Sequence, residues 1–506
     1  MESHKEAVDI ISANVRGFYE RKEPFRIYHG ATNSTRKSPY RKDRIIDTRS
    51  LSNVLEVNRE RKTALVEPNV PMDRLVEVTT EYGLVPPVVM ELPGITVGGG
   101  FAGTAGESSS FKYGIFDCTI NSIEIVLANG DVVNASSTER PDLLAGAAGS
   151  CGTFGVITLL EIQLIDAAKY VELTYHPLPS IPSAIQKCKQ ETQNPSIDYL
   201  DGIIFSKTSS VIMTGRLTNT CPPGTSPQRF TRAHDPWFYL HAKDCLSKST
   251  NPETPYKEAI PLADYLFRYD RGAFWGGAHA FKYFLTPFNR ITRWLLNPFM
   301  HTRTIYHAFH ESNLSNRTIV QDLGIPFSKV EEFITFIDST FNFYPLWLCP
   351  IRPTQPTPRG TFAMTNAYPT PSEYLLNVGV WGMGPSNRAH FISLNRSIER
   401  KVHELSGLKC LYAHAYYTED EFWDVYDRKA YEALREKYHA GTLPSVFEKV
   451  RVDFQATTGE GGGGRGTLGG WLRGVFWGIW PFSGLYGVYR VVVGGDYLMR
   501  RGVKDE

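Results

Sequence analysis

Along the first thirty residues, apolar side chains recur at Val8, Ile11, Val15 and Phe18 among charged neighbours, the spacing of one helix face. No continuous apolar stretch of the kind that opens a secretory signal occurs there. The chain therefore reads as one that is not secreted and folds where thiols stay reduced. Short apolar runs at 27–30, 44–47 and 63–67 predict strands, whereas 51–58 reads as turn-rich with apolar punctuation. Residues 72–82 predict a helix, with Leu75, Val76 and Thr79 on one side and Gly83 as its stop. Asn129 and Gly130, between apolar runs at 123–127 and 132–135, predict a hairpin with a two-residue turn.

Past residue 170 the texture changes. Runs at 171–175, 202–205 and 211–214 predict strands, 374–381 a buried strand, and 331–343 and 396–405 helices. Residues 419–438 read as a charged amphipathic helix pair. A glycine-rich run at 459–466 then leads into 471–498, rich in Trp, Phe, Tyr, Val and Gly. Its charge-free core, 474–489, falls short of the ~20 residues an upright spanning helix needs. It is either an anchor at a membrane interface or a hydrophobic tail packed on the protein. The pattern predicts an α+β fold in three parts: a first domain at 1–168, a substrate domain at 169–455, and a linker with hydrophobic tail at 456–506.

Composition narrows the function only a little. With 54 Lys+Arg against 53 Asp+Glu, the chain lacks the basic excess that binding nucleic acid requires. Its 12% aromatic content suits a flat or greasy ligand, a membrane interface or a large ordinary core, so it decides between none of them. The seven cysteines are scattered without a C-x-x-C pair, and no metal site is expected.

The chemistry lies in polar, glycine-rich segments. Gly98, Gly100 and Gly103 match the letters of the G-x-G-x-x-G fingerprint, but Leu92-Pro93-Gly94 precedes them and a serine run follows, so the strand–helix context is missing. What remains is a segment whose glycines let backbone N–H groups approach an anion, with hydroxyls at Thr96, Thr104, Ser108, Ser109 and Ser110. Gly30, Thr32, Asn33 and Ser34 offer the same resources earlier, and Gly152, Gly155 and Val156 lie in a third segment running into a strand. Three such segments suggest a long ligand, and FAD fits better than ATP because no G-x-x-x-x-G-K-[ST] is present.

These motifs resemble the flavoprotein fold of the vanillyl-alcohol oxidase and p-cresol methylhydroxylase class. Thr96-Val97-Gly98-Gly99, Gly103-Thr104, Glu107-Ser108-Ser109-Ser110 and Lys112-Tyr113-Gly114 narrow the resemblance to the delta-24-sterol reductases. So do Ser150-Cys151-Gly152-Thr153, Val320-Gln321-Asp322, Tyr344-Pro345-Leu346-Trp347-Leu348-Cys349-Pro350 and Glu421-Phe422-Trp423. The resemblance implies a p-cresol methylhydroxylase-type FAD-binding domain, a cap domain for the sterol, and NADPH as hydride donor. It also implies the endoplasmic reticulum membrane or the cytoplasmic face of membranes. Gly30, Thr32, Asn33, Ser34, Thr96, Val97, Gly98, Gly99, Gly100, Gly103, Thr104, Glu107, Ser108, Ser109, Tyr113, Gly114, Gly152, Gly155 and Val156 are its cofactor-binding candidates. Covalent members of the class carry a histidine where Asn33 stands, so the FAD is expected to be noncovalent. The family's N-terminal transmembrane segment is not expected here, since the sequence begins almost at the flavin-binding motifs, and the hydrophobic tail is a departure from the family.

An isolated alkene is unactivated, so reducing it needs an acid across from the flavin and a dry apolar channel. Candidate acids are Tyr416 first, then Tyr412 and Asp322, with Glu421 and Tyr344 behind them. Each has an ordinary reading: Tyr412 and Tyr416 as one apolar helix face, Asp322 as a strand-end cap, Glu421 as a helix N-terminal charge. Glu124, alone among apolar neighbours and downstream of Lys112, reads as a satisfied buried acid or a surface edge. The aromatic and arginine mixture at 281–306 suits either a surface for membrane association or a core helix with exposed arginines. An FAD-dependent alcohol or sugar oxidase or dehydrogenase is the competing enzyme reading, and a flavin-bearing binding protein the competing non-enzyme one.

Overall fold

The computed structural model describes residues 2–30, 41–222, 226–248, 255–312, 314–352, 373–452, 454 and 480–494. Five of the predicted and unpredicted strands before residue 164 form one antiparallel sheet, in the spatial order Val54–Asn58, Thr63–Val66, Gly155–Gln163, Ile120–Leu127, Val132–Ser136. The first of these falls where the sequence reads only turns. It is a half-buried edge strand, so one-sided pairing leaves its apolar signal weak. The hairpin around Gly130 forms, but its loop is three residues: Leu127 N–H donates to Asp131 O at 2.8 Å and Gly130 takes φ +88. Asn129 also accepts from Asp131 N–H at 3.1 Å, which shapes the longer loop.

The helix Glu2–Glu20 buries Val8, Ile11, Val15 and Phe18 against Val126 and Val156, as its spacing predicts. Its His4 lies 2.8 Å from Glu67 and 3.2 Å from Glu124, so Glu124 is a paired structural acid. Lys112 instead pairs with Asp198 at 2.8 Å.

Eight strands from Tyr170 to Lys409 make a second antiparallel sheet. The half that builds the site has the order Tyr199–Ser206, Leu346–Ile351, Leu375–Met383, Thr318–Pro326, Leu408–Lys409. Helices Val330–Phe341 and Arg388–Glu404 cover it with Phe333, Ile334, Ile337, Phe391, Ile398 and Val402. The chain then returns to the first sheet. In helix Arg428–Lys437, Tyr431 lies 2.9 Å from Thr153 Oγ1, and Leu434 fills the space above Gly146.

Residues 281–306 are broken into several pieces, including helices Gly276–Tyr283, Arg290–Leu295 and Thr302–Glu311. Of the predicted tail, 456–479 and 495–506 lie outside the described residues, and Phe482–Gly494 is a helix packed on Thr302–Glu311. No helix among the described residues is long and apolar enough to cross a membrane.

Candidate active site

A cavity of about 1060 Å³ is walled by residues from both halves of the molecule. Its first wall is the glycine-rich segment, which is a short helix, Val97–Ala102, rather than an open loop. Thr96 makes it so, its Oγ1 accepting from Gly99 N–H at 3.2 Å to satisfy a free amide of the first turn. Gly98 sits so close to Pro68 that a Cβ would lie 2.8 Å from the ring carbon. Gly98, Gly99, Gly103 and Thr104 reach the cavity surface, and Gly152 (φ +70) and Gly155 join them.

Among the described residues, His29 Nδ1, Glu91 Oε1, His279 Nε2 and Asn377 Oδ1 are buried without a protein partner, and all four residues line this cavity. Such atoms cost free energy unless a bound group meets them. Burial, reinforced by nearby Glu107, pushes the Glu91 carboxyl well above the usual carboxylate range, and burial pulls His29 and His279 down. A backbone cradle with unpartnered polar atoms fits a long polar cofactor such as FAD.

The second wall comes from the eight-stranded sheet. Asp322 lies mid-strand opposite Gly379, while Cys410 N–H donates to Asp322 O at 2.9 Å just beyond the edge strand Leu408–Lys409. That turn brings Tyr412 to Asp322, hydroxyl to Oδ2 at 2.5 Å, while Asn377 donates to Oδ1 at 3.0 Å. Burial raises Asp322 above the usual carboxylate range against the pull of both hydrogen bonds. Burial, then the neighbouring Asp322, raises Tyr412 well above the usual phenol range. Thr104 Oγ1 lies 3.5 Å from Cys410 Sγ, so the first wall abuts this pair directly. Trp347 and Trp381 flank it, their rings stacked at 6.0 Å, and Asp201 holds the Trp347 indole N–H at 3.2 Å. Asp201 is itself held by Arg268 and Tyr269, each at 2.8 Å.

The cavity ends among apolar side chains: Phe284, Ile305 and Phe309, faced by Val488 and Val491 of the tail helix.

Residues 6–136 match the family model described as an FAD binding domain. The Delta(24)-sterol reductase of Homo sapiens is 31% identical over 434 residues, covering 83% of this chain and 80% of the human protein. That of Rattus norvegicus is 29% identical over 466 residues, covering 88% and 86%. That of Pisum sativum is 29% identical over 443 residues, covering 80% and 76%. The chain belongs to the delta(24)-sterol reductase family.

Within this member of the family, Asp322 and Tyr412 meet in the cavity wall and Tyr416 does not. Tyr416 is turned into the core beneath the second sheet, its ring against Phe391. Its backbone N–H donates to Glu399. Neither tyrosine is helical; the segment after Lys409 is irregular, so the shared helix face does not exist. Glu421 closes a capping box with Thr418 and pairs with Arg396 at 2.8 Å, and Tyr344 donates to Asp338 at 3.0 Å.

Of the cofactor candidates, Val97, Gly100 and Val156 are core positions. Glu107, Ser108 and Ser109 form a buried hydrogen-bonded turn behind the wall, Ser109 N–H donating to Glu107 at 2.6 Å. Gly30, Tyr113 and Gly114 also lie off the cavity surface, and Thr32, Asn33 and Ser34 are outside the described residues. Sequence reasoning passes over Glu91, Asn377 and Trp381 as site residues, while it places the aromatics of 344–350, Trp347 among them, in the sterol pocket. Glu91 and Asn377 each stand as a lone polar residue in an apolar run, the signal that could have found them.

Proposed function

We propose that this protein reduces the delta-24 side-chain double bond of a sterol, using noncovalent FAD and NADPH as the hydride donor. The observation that carries the reading is one cavity joining a glycine-rich wall, a buried Tyr412–Asp322 pair and an apolar end. The wall of Thr96, Gly98, Gly99, Gly103, Thr104, Gly152 and Gly155 would hold FAD, with Glu91 and His29 as polar partners. Bound and reduced, FAD supplies the hydride. Asn33, where covalent relatives carry a histidine, leaves the flavin unattached.

The residues of the second wall supply the rest. Adding a proton to an isolated alkene generates positive charge on the more substituted carbon. The faces of Trp347 and Trp381 suit such a centre, because aromatic rings attract cations. With Asp322 neutral, its proton satisfies the Tyr412 oxygen and frees the Tyr412 O–H for the substrate, a two-residue relay. The apolar end among Phe284, Phe309, Val488 and Val491 would take the sterol body and keep water from the reaction.

The same reading divides the chain into an FAD-binding domain at 1–168, a substrate domain at 169–455 and the tail. It places the protein at the endoplasmic reticulum membrane or the cytoplasmic face of membranes, in contact through the tail and 281–306. Anaerobic mixing with NADPH tests it: the flavin should bleach, and a sterol with a delta-24 double bond should restore its colour. Bleaching that no such sterol reverses would contradict the reading.

A further inference from the structure

Large apolar side chains exposed to solvent are not spread evenly over this molecule. Leu285, Ile291, Trp294 and Leu295 are each more than half exposed, as are Tyr489 and Val493 of the tail helix. Helix Arg290–Leu295 has no buried residue at all, although it carries Ile291, Trp294 and Leu295. Its helical form is fixed locally, by Asn289 accepting from Ile291 N–H at 2.9 Å and Thr292 N–H at 3.1 Å. A solvated helix of that composition leaves an apolar surface that water disfavours.

The two exposed segments are one surface. Trp480 Nε1–H donates to Tyr283 O at 2.6 Å, Tyr283 and Ser483 hydroxyls lie 3.2 Å apart, and Gly484 is in close contact with Tyr283 and Phe284. The segment between Asp270 and Glu311 is also basic: it holds no Asp or Glu but carries Lys282, Arg290 and Arg293. Arg293 lies over the Phe288 ring at 4.9 Å, and Arg490 of the tail helix is neutralised by Glu311 at 3.3 Å. Directly beneath, Tyr283, Phe284, Gly484, Val488 and Val491 line the apolar end of the cavity.

We infer that this face docks onto a bilayer containing anionic phospholipid. Leu285, Ile291, Leu295 and the outer side of the tail helix would enter the acyl boundary, and Trp294 and Trp480 would sit at headgroup level. Lys282 and Arg290 would meet lipid phosphates. The apolar end of the cavity then opens beside the lipid, so a sterol passes between them without crossing water. The inference rests on the sterol reading only for what passes through the face, not for the docking itself.

The test uses the full FAD-loaded chain and its Ile291→Glu/Leu295→Glu variant, both sites being exposed and outside the cavity wall. Sedimentation with vesicles of phosphatidylcholine and phosphatidylserine should pellet the native chain, with weaker pelleting on phosphatidylcholine alone or at high salt. The variant should bind such vesicles about tenfold or more weakly. It should keep native flavin content and native turnover of sterol delivered in cyclodextrin, and lose turnover of sterol embedded in vesicles. A native chain that stays in the supernatant, or a variant that pellets equally, overturns the inference. So does a native dimer, seen by light scattering, that the variant dissolves without any vesicle binding. If pelleting holds but neither form of sterol is turned over, the docking face stands and the sterol reading fails.

Discussion

The Tyr412 hydroxyl and Asp322 Oδ2 stand 2.5 Å apart in the wall of a cavity, each side chain pushed by burial toward its protonated form. A pair like this can hold two protons where an exposed carboxylate would hold none. The geometry also leaves Asp322 fixed from its other oxygen by Asn377. A proton placed there has a defined direction of travel.

The relay dictates a pH dependence. The neutral form of Asp322 is present below its raised pKa and is lost as pH rises through it, so kcat should fall on the alkaline side. Asp322→Asn should lower kcat by about 10²–10⁴-fold and abolish that limb, while flavin binding persists. Tyr412→Phe should cost a similar factor and move the limb of any residual activity to higher pH, because it removes a hydrogen bond that lowers Asp322. Single-turnover reoxidation of the reduced flavin by sterol, followed across pH, measures both.

Two neighbouring glycines should separate cofactor binding from folding. A Cβ at Gly99 meets only Thr96 Oγ1, at 3.0 Å, whereas one at Gly100 would lie 2.3 Å from Met90 Cε. Gly99→Val should weaken FAD by at least about tenfold with the apoprotein melting unchanged, because the added bulk projects into the cofactor wall. Gly100→Ala should destabilise the apoprotein by about 1–3 kcal/mol through overpacking. Flavin titration and thermal melts of the two apoproteins make the comparison.

With asparagine at position 33, the flavin should come free on denaturation. Acid precipitation of the holoprotein is expected to leave a colourless pellet and all flavin in the supernatant.

Lys409 and Glu399 form a fully buried ion pair at 2.5 Å, and Glu399 also accepts from the backbone N–H of Tyr416. Lys409 is on the edge strand that precedes Tyr412. Glu399→Ala strands a buried ammonium and should cost about 3–5 kcal/mol in urea unfolding, with Glu399→Gln less severe.

How much of this was legible in the sequence depended on whether a residue's role is local. Helix Met72–Glu81 and the strands Thr63–Val66 and Leu375–Met383 announce themselves by period and by breakers such as Gly83. Asp322 and Tyr412 are legible as candidates from the family motifs, but their meeting is not. They stand 90 positions apart, and the strands Leu346–Ile351 and Leu375–Met383 intervene in the chain before Leu408–Lys409 returns to pair beside the strand of Asp322. Tyr416 is as plausible as Tyr412 in one dimension. Only the turn after Lys409 decides which ring faces the cavity. The serine run reads as cofactor hydroxyls, yet Ser108 and Ser109 spend theirs on Tyr265, Glu107 and Pro87 in the core. The tail read as either membrane anchor or packed helix, and Phe482–Gly494 packs with one side while exposing Leu485, Tyr489 and Val493 on another.

The most direct test of the central claim is the mass of the product. Purified protein, FAD, NADPH and desmosterol, incubated without oxygen, should yield a sterol heavier by two hydrogens in native enzyme and almost none in Asp322→Asn. Recovery of unchanged desmosterol from native enzyme whose flavin NADPH has fully reduced would contradict the account.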